Sequence, residues 1–162
     1  MKLRLSSRAL LAVAGLACAA SVGLALLAQH QFNMQPCPWC ILQRLIFVVL
    51  AGLCLLGAAL PALLRRVVAT LALPFAAGGM AAALWQHFVA AKTSSCAMTL
   101  ADRIVMGTGL DMRFPEAFEV RATCADAAVS VFGVPFEFWA LGLFAAVGLV
   151  LVLNVLNPAR RA

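Results

Sequence analysis

The stretch Pro36-Cys37-Pro38-Trp39-Cys40-Ile41-Leu42-Gln43-Arg44 sets a Cys-x-x-Cys pair directly before a long apolar run. Proline has no N–H to lose, so Pro38 suits the first position of a helix. Cys37 is then the N-cap and Cys40 the third helical residue. Both sulfurs sit at the positive end of the helix dipole, beside backbone N–H groups that lack intrahelical partners. That setting favours thiolate over thiol. The i, i+3 spacing lets the pair close as an exchangeable disulfide. Arg44 lies one helical turn beyond Cys40 on the same face, and it is the only charged residue between Arg8 and Arg65. An arginine at a membrane boundary can snorkel to the interface. One turn from a reactive sulfur it can also stabilise a thiolate or an anionic intermediate in low dielectric.

The rest of the chain says what kind of helix this motif opens. Of 162 residues, 65% are hydrophobic and 11% charged, where a soluble domain carries about 25% charged residues. Mean hydropathy is +1.03. The net charge of +6 does not indicate nucleic acid, because the basic residues sit at the ends of apolar runs and form no basic face interleaved with aromatics. Four runs are long enough, with their flanks, to cross a hydrocarbon core that needs roughly 20 helical residues. Lipid offers no hydrogen bonds, so each must be a helix. The expectation is an all-α membrane protein: one domain over 1–162, a four-transmembrane-helix bundle with helices at about 9–28, 41–64, 67–91 and 135–156. Pro74 is a candidate kink in the third. The first run is too long for a signal-peptide core and lacks a clear A-x-A site, so a retained helix is expected.

Charge sets the orientation. Lys2, Arg4 and Arg8, then Arg65 and Arg66, then Arg160 and Arg161 mark the ends expected to be cytoplasmic. The loops at about 29–40 and 92–134 then face outward. The second of these holds Lys92, Arg103, Arg113 and Arg121, which runs against the rule, but all six acidic residues fall there or at its edge. Trp39, Trp85 and Trp139 are expected in one interfacial aromatic belt at the outer ends. Thr99 to Met106 reads either as a short amphipathic helix on the membrane surface or as an ordinary loop helix.

Six cysteines divide by this topology. Cys18 and Cys54 fall mid-helix and read as small apolar packing residues. Cys37, Cys40, Cys96 and Cys124 all map to the outer side, where an even number of cysteines in an oxidising compartment implies disulfides. Zinc is the chemical rival, but Cys96 and Cys124 are too far apart to supply a second close-spaced half-site. A c-type haem needs His after Cys40, and the residue is Ile41. No βαβ pattern surrounds the CxxC, which argues against a thioredoxin fold. The motif reads as a redox centre on a membrane helix, whose electrons need a partner that lives in lipid. A quinone satisfies that.

These residues resemble the DsbB family, the quinone-linked disulfide bond formation proteins of bacterial inner membranes. The likeness rests on four helices, CPWC-x-x-Q-R at the second, and two further outer cysteines, and it covers nearly the whole chain. It implies that Cys37 and Cys40 pass electrons to ubiquinone or menaquinone, with Cys40 facing the quinone and Arg44 stabilising the thiolate–quinone species. It implies that Cys96 and Cys124 form the interloop disulfide that reoxidises a periplasmic DsbA-type dithiol oxidase, which attacks Cys96. The freed Cys124 then exchanges with Cys37. His87 stands near the depth of a quinone-contacting histidine of some members, against the plain alternative of an interfacial histidine solvated by headgroups. Gln43 stands where some members have Glu. No metal site is implied. The enzymatic alternative, a quinone reductase resembling vitamin K epoxide reductase, would carry its CxxC after the loop pair, whereas here it comes before. The other alternative is a metal-binding or structural membrane protein.

Overall fold

The computed structural model describes residues 6–92 and 98–156. Helix α1 spans Ser7–Phe32, α2 Pro38–Ala59, α3 Ala62–Phe88 and α7 Phe136–Leu156. All four are long and apolar enough to cross a membrane. Between α3 and α7 lie α4 (Leu100–Thr108), α5 (Leu110–Arg113), α6 (Pro115–Phe118) and a hairpin of β1 (Ser130–Val131) with β2 (Val134–Pro135). The four long helices run up and down as a bundle. The CxxC and the α3–α7 segment therefore share one end.

The local chemistry explains the helix ends. Ser6 accepts a hydrogen bond from the Ala9 N–H and starts α1, and Asn33 ends it in the left-handed conformation. Helix α2 begins at Pro38 with Cys37 as its N-cap. It stops at Ala59, short of the expected 64, and α3 begins at Ala62. The residue before a proline is pushed out of the helical region, and Leu60 is extended ahead of Pro61. Arg65 and Arg66 therefore belong to the first turns of α3 and not to a connection. Helix α3 continues through Pro74. Thr99 and Asp102 form a reciprocal capping box that starts α4, and Gly109 ends it with φ of 63°, a conformation glycine adopts without steric cost.

The core is a set of close helix contacts built from small residues. Ala69, Ala72, Ala76 and Gly79 recur along one face of α3 and are buried. Small side chains let membrane helices approach closely. Above Gly79 the rings of Phe47 and Phe144 stack at 4.0 Å between centroids, 1° from parallel. A Cβ at position 79 would overlap the Phe144 ring. That ring is fully buried and cannot swing away. Gly79→Ala is expected to destabilise the protein by about 1–3 kcal/mol, the usual cost of overpacking. Gly78→Ala, which faces open space, is expected to be neutral. Thermal unfolding of both variants in detergent checks this, and equal midpoints would refute it.

Contacts around the bundle are uneven. Helices α1 and α2, α2 and α3, and α3 and α7 pack extensively, whereas α1 and α7 touch lightly. The segment between α3 and α7 folds back over α2. Ala101 and Val105 of α4 are buried in a cluster with Cys37, Trp39, Ile41 and Leu42, while Leu100, Ile104 and Met106 remain exposed. Trp39 corrects the expected belt, because it is buried inside this cluster and only Trp85 and Trp139 are half-exposed. Burial follows from its position in the first turn of α2, directly beneath α4.

Candidate active site

The first turn of α2 places the Cys37 and Cys40 sulfurs 2.7 Å apart, and the Cys40 backbone N–H donates to Cys37 Sγ at 3.3 Å. Cys124 reaches the same place from far along the chain. The backbone N–H groups of Arg121 and Ala122 both donate to Pro36 O, at 3.0 and 3.2 Å. This pins the segment beside the start of α2, where Cys124 packs in one buried cluster with Cys37 and Cys40. All five described cysteines are free thiols. The structure thus gathers Cys37, Cys40 and Cys124, while Cys96 lies outside the described residues. Cys18 and Cys54 are fully buried in the bundle core, away from this cluster.

Burial changes the expected thiol chemistry. Cys37 is 0% exposed. Desolvation pushes its thiol well above the usual range, and hydrogen bonding with Cys124 and Cys40 pushes the same way. The helix N-terminus alone argues for a lowered value, so burial overrides it at this position. Cys124 moves the other way: the bond from Cys37 favours its thiolate. Of this facing pair, Cys124 is the readier nucleophile.

Beneath the thiols lies a cavity of about 730 Å³. Leu24, Leu27, Phe47, Phe136, Ala140 and Leu143 are among the apolar residues of its wall, and Cys40, Gln43, Arg44, Gln86 and Glu137 bring polar groups to it. Cavities that bind small molecules have this make-up: apolar walls, a few polar groups and 300–1,000 Å³. Among the described residues Cys40 is the only cysteine on that wall. Gln43 Nε2 donates to Gln86 Oε1 at 2.6 Å, and Gln86 Nε2 donates to Cys40 Sγ at 3.3 Å. Such a bond strengthens when the acceptor is charged. Arg44 is 6% exposed. One guanidinium nitrogen donates to Gln29 Oε1 at 3.0 Å and to Ala117 O, while Nε is buried and finds no partner among the described residues.

His87 is not on the cavity wall. Its Nδ1 pairs with Glu137 Oε1 at 2.6 Å, and Glu137 is on the wall although only 5% exposed. The histidine faces the rings of Phe88 and Phe138 and keeps partial contact with the surface. Gln29, Gln86 and Glu137 escaped the sequence reading. Their signal was available: each is a polar side chain at the edge of a membrane-spanning apolar run, where such residues are costly unless they find partners.

Thiols that face a loop on one side and an intramembrane cavity on the other mark a class, the membrane oxidoreductases that form disulfides. The family model described as "Disulfide bond formation protein DsbB" matches residues 7–154. The chain belongs to the DsbB family. It is 34% identical over 155 residues to Disulfide bond formation protein B 1 of Pseudomonas syringae pv. syringae (strain B728a), covering 93% of this chain and 90% of that protein. It is 30% identical over 156 residues to Disulfide bond formation protein B of Burkholderia thailandensis, covering 95% and 92%. Against that of Herminiimonas arsenicoxydans it is 28% identical over 148 residues, covering 91% and 94%. It is a multi-pass membrane protein of disulfide bond formation.

Proposed function

We propose that the chain is a thiol:quinone oxidoreductase of the bacterial inner membrane, with the cysteine end of the bundle on the periplasmic side and both termini in the cytoplasm. It reoxidises a DsbA-type dithiol oxidase and passes the electrons to ubiquinone or menaquinone. The observation that carries this reading is the position of Cys40, which meets Cys37 on one side and the apolar cavity on the other.

The wall suits a quinone. A flat ring with two carbonyl oxygens needs apolar surface and a few donors, and Arg44, Gln43 and Gln86 bring donor groups to this wall. Arg44, Gln86 and Cys40 would hold the ring, with Glu137 and its partner His87 beside it. A quinone bound there supplies the chemistry of accepting two electrons and two protons.

The protein's own steps are thiol–disulfide exchanges, each an attack by a thiolate on a disulfide sulfur. A partner thiolate attacks Cys96 of a Cys96–Cys124 disulfide and releases Cys124 as thiolate. The partner's second thiol resolves the mixed disulfide, so the partner leaves oxidised. Cys124, released as a thiolate in the first exchange, attacks Cys37 of the Cys37–Cys40 disulfide. The Cys124–Cys37 bond forms, the Cys37–Cys40 bond breaks, and the electron pair stays on Cys40 at the cavity. Attack by the Cys96 thiolate on Cys124 restores the loop disulfide and leaves Cys37 reduced.

The test uses the full chain in lipid nanodiscs, a reduced thioredoxin-fold dithiol protein and a short-chain ubiquinone. One quinone should be reduced per dithiol oxidised, followed by its ultraviolet absorbance. Acid-quenched peptide mapping should show a Cys37–Cys124 disulfide during turnover and not at rest. Unchanged quinone absorbance with an oxidisable dithiol present would refute the reading.

A further inference from the structure

The cation on the cavity wall also holds the loop that carries Cys124. Arg44 donates to Gln29 Oε1 and to Ala117 O. Gln29 Nε2 in turn donates to Glu116 O at 3.0 Å. Two successive carbonyls of α6 are therefore fastened to one guanidinium–carboxamide unit inside the bundle. Gln29 is 2% exposed and closes α1 onto this unit. Four residues further on, Arg121 and Ala122 are tied to Pro36, and Cys124 follows against Cys37.

Only a carboxamide fills the place of Gln29. A guanidinium only donates and a backbone carbonyl only accepts. The side chain between them must accept on one side and donate on the other, which also fixes which end of the amide faces which partner. Glutamate loses the donor and leucine loses both.

We propose that Gln29 is a positioning residue that couples the cavity to the seating of Cys124. It fixes the Arg44 guanidinium for an acceptor in the cavity and, through the same amide, holds residues 115–122 so that Cys124 meets Cys37. The inference rests on the quinone reading above for the identity of the acceptor. Coupling between two sites is reciprocal. An acceptor that draws on Arg44 alters the hold on α6, and release of α6 loosens Arg44.

Hydrogen exchange on the full chain in nanodiscs tests this without turnover. In Gln29→Leu the amides of 116–122 should exchange about tenfold faster, as expected for loss of a buried hydrogen bond to the loop and of one partner of a charged group. Gln29→Glu keeps an acceptor for Arg44 but loses the donor to Glu116 O, so it should loosen the same amides, and it serves where the leucine variant folds poorly. The fraction of chains trapped as Cys37–Cys124 disulfide at acid quench should fall by a similar factor, a change that a purely structural role in the bundle would not produce. Adding short-chain ubiquinone should change exchange of 116–122 in the parent chain and have a much smaller effect in Gln29→Leu. Unchanged exchange and unchanged trapping in both variants would overturn the coupling. So would quinone that is reduced by the parent chain while residues 116–122 exchange as before, and in that case the quinone reading survives.

Discussion

Cys40→Ser should reduce quinone-dependent oxidation of a dithiol partner to background, a loss of more than about a thousandfold, as expected when a nucleophile that acts in a unit is removed. Cys37 is sealed by Trp39, Ile41 and the α4 face, whereas Cys40 alone among the described cysteines reaches the cavity. A hydroxyl cannot form the Cys37–Cys40 bond, so no electron pair arrives at the cavity. Cys37, freed from that pairing, remains beside Cys124 and should exchange into the Cys96–Cys124 disulfide: the Cys37–Cys124 bond forms, the Cys96–Cys124 bond breaks and Cys96 leaves as thiolate. Cys54→Ser is the control, because Cys54 packs in the opposite part of the bundle and should leave turnover unchanged. The measurement is absorbance-followed quinone reduction with peptide mapping of the quenched protein. Full turnover in the Cys40 variant would remove the sulfur from the pathway and the proposed function with it.

Arg44→Leu should have the second largest effect. Among the described residues no carboxylate lies within ion-pair distance of Arg44. A buried cation without a counter-charge costs several kcal/mol, and neutral hydrogen bonds to Gln29 and Ala117 offset only part of that. Its presence makes sense as a donor aimed at negative charge arising in the cavity. Removing one donor to such a charge costs about 10²–10³ in rate. Quinone reduction should fall by that factor, with a weaker apparent affinity for quinone. Leucine leaves Gln29 Oε1 and Ala117 O without this donor, at a cost of about 1–3 kcal/mol, so the thermal midpoint should fall by roughly 2–12 °C. Arg44→Lys should recover little, since an ammonium lacks the planar fork that serves several acceptors at once. Quinone kinetics that match the parent chain would show that Arg44 serves the loop alone.

How much of this was legible in the sequence depends on how local each signal is. The four spans, the Pro38 helix start, Cys37 as N-cap and the place of Arg44 one turn beyond Cys40 follow from spacing within a few residues. The break between α2 and α3 was misjudged because hydrophobicity runs on through Leu63 and Leu64, while the backbone obeys Pro61. The pairings among the polar residues are not legible. Gln43 finds Gln86 from 43 residues away and Gln29 finds Glu116 from 87, and no local pattern announces such partners. His87 was visible as a residue, but its partner Glu137 is 50 residues on. The raised Cys37 thiol was hidden for the same reason. The dipole that favours its thiolate lies in the adjacent sequence, whereas the α4 residues that desolvate it come more than sixty positions later.

The light contact between α1 and α7 has a consequence for traffic. Leu24, Leu27 and Trp139, drawn from these two helices, belong to the cavity wall and remain exposed. The rim therefore opens sideways, in the plane of the bilayer. On the proposed function, a lipophilic acceptor would reach Cys40 by two-dimensional diffusion, and its partitioning into the membrane would set its effective concentration there. A protein partner would arrive along the membrane normal, so the two would approach the thiols by separate routes.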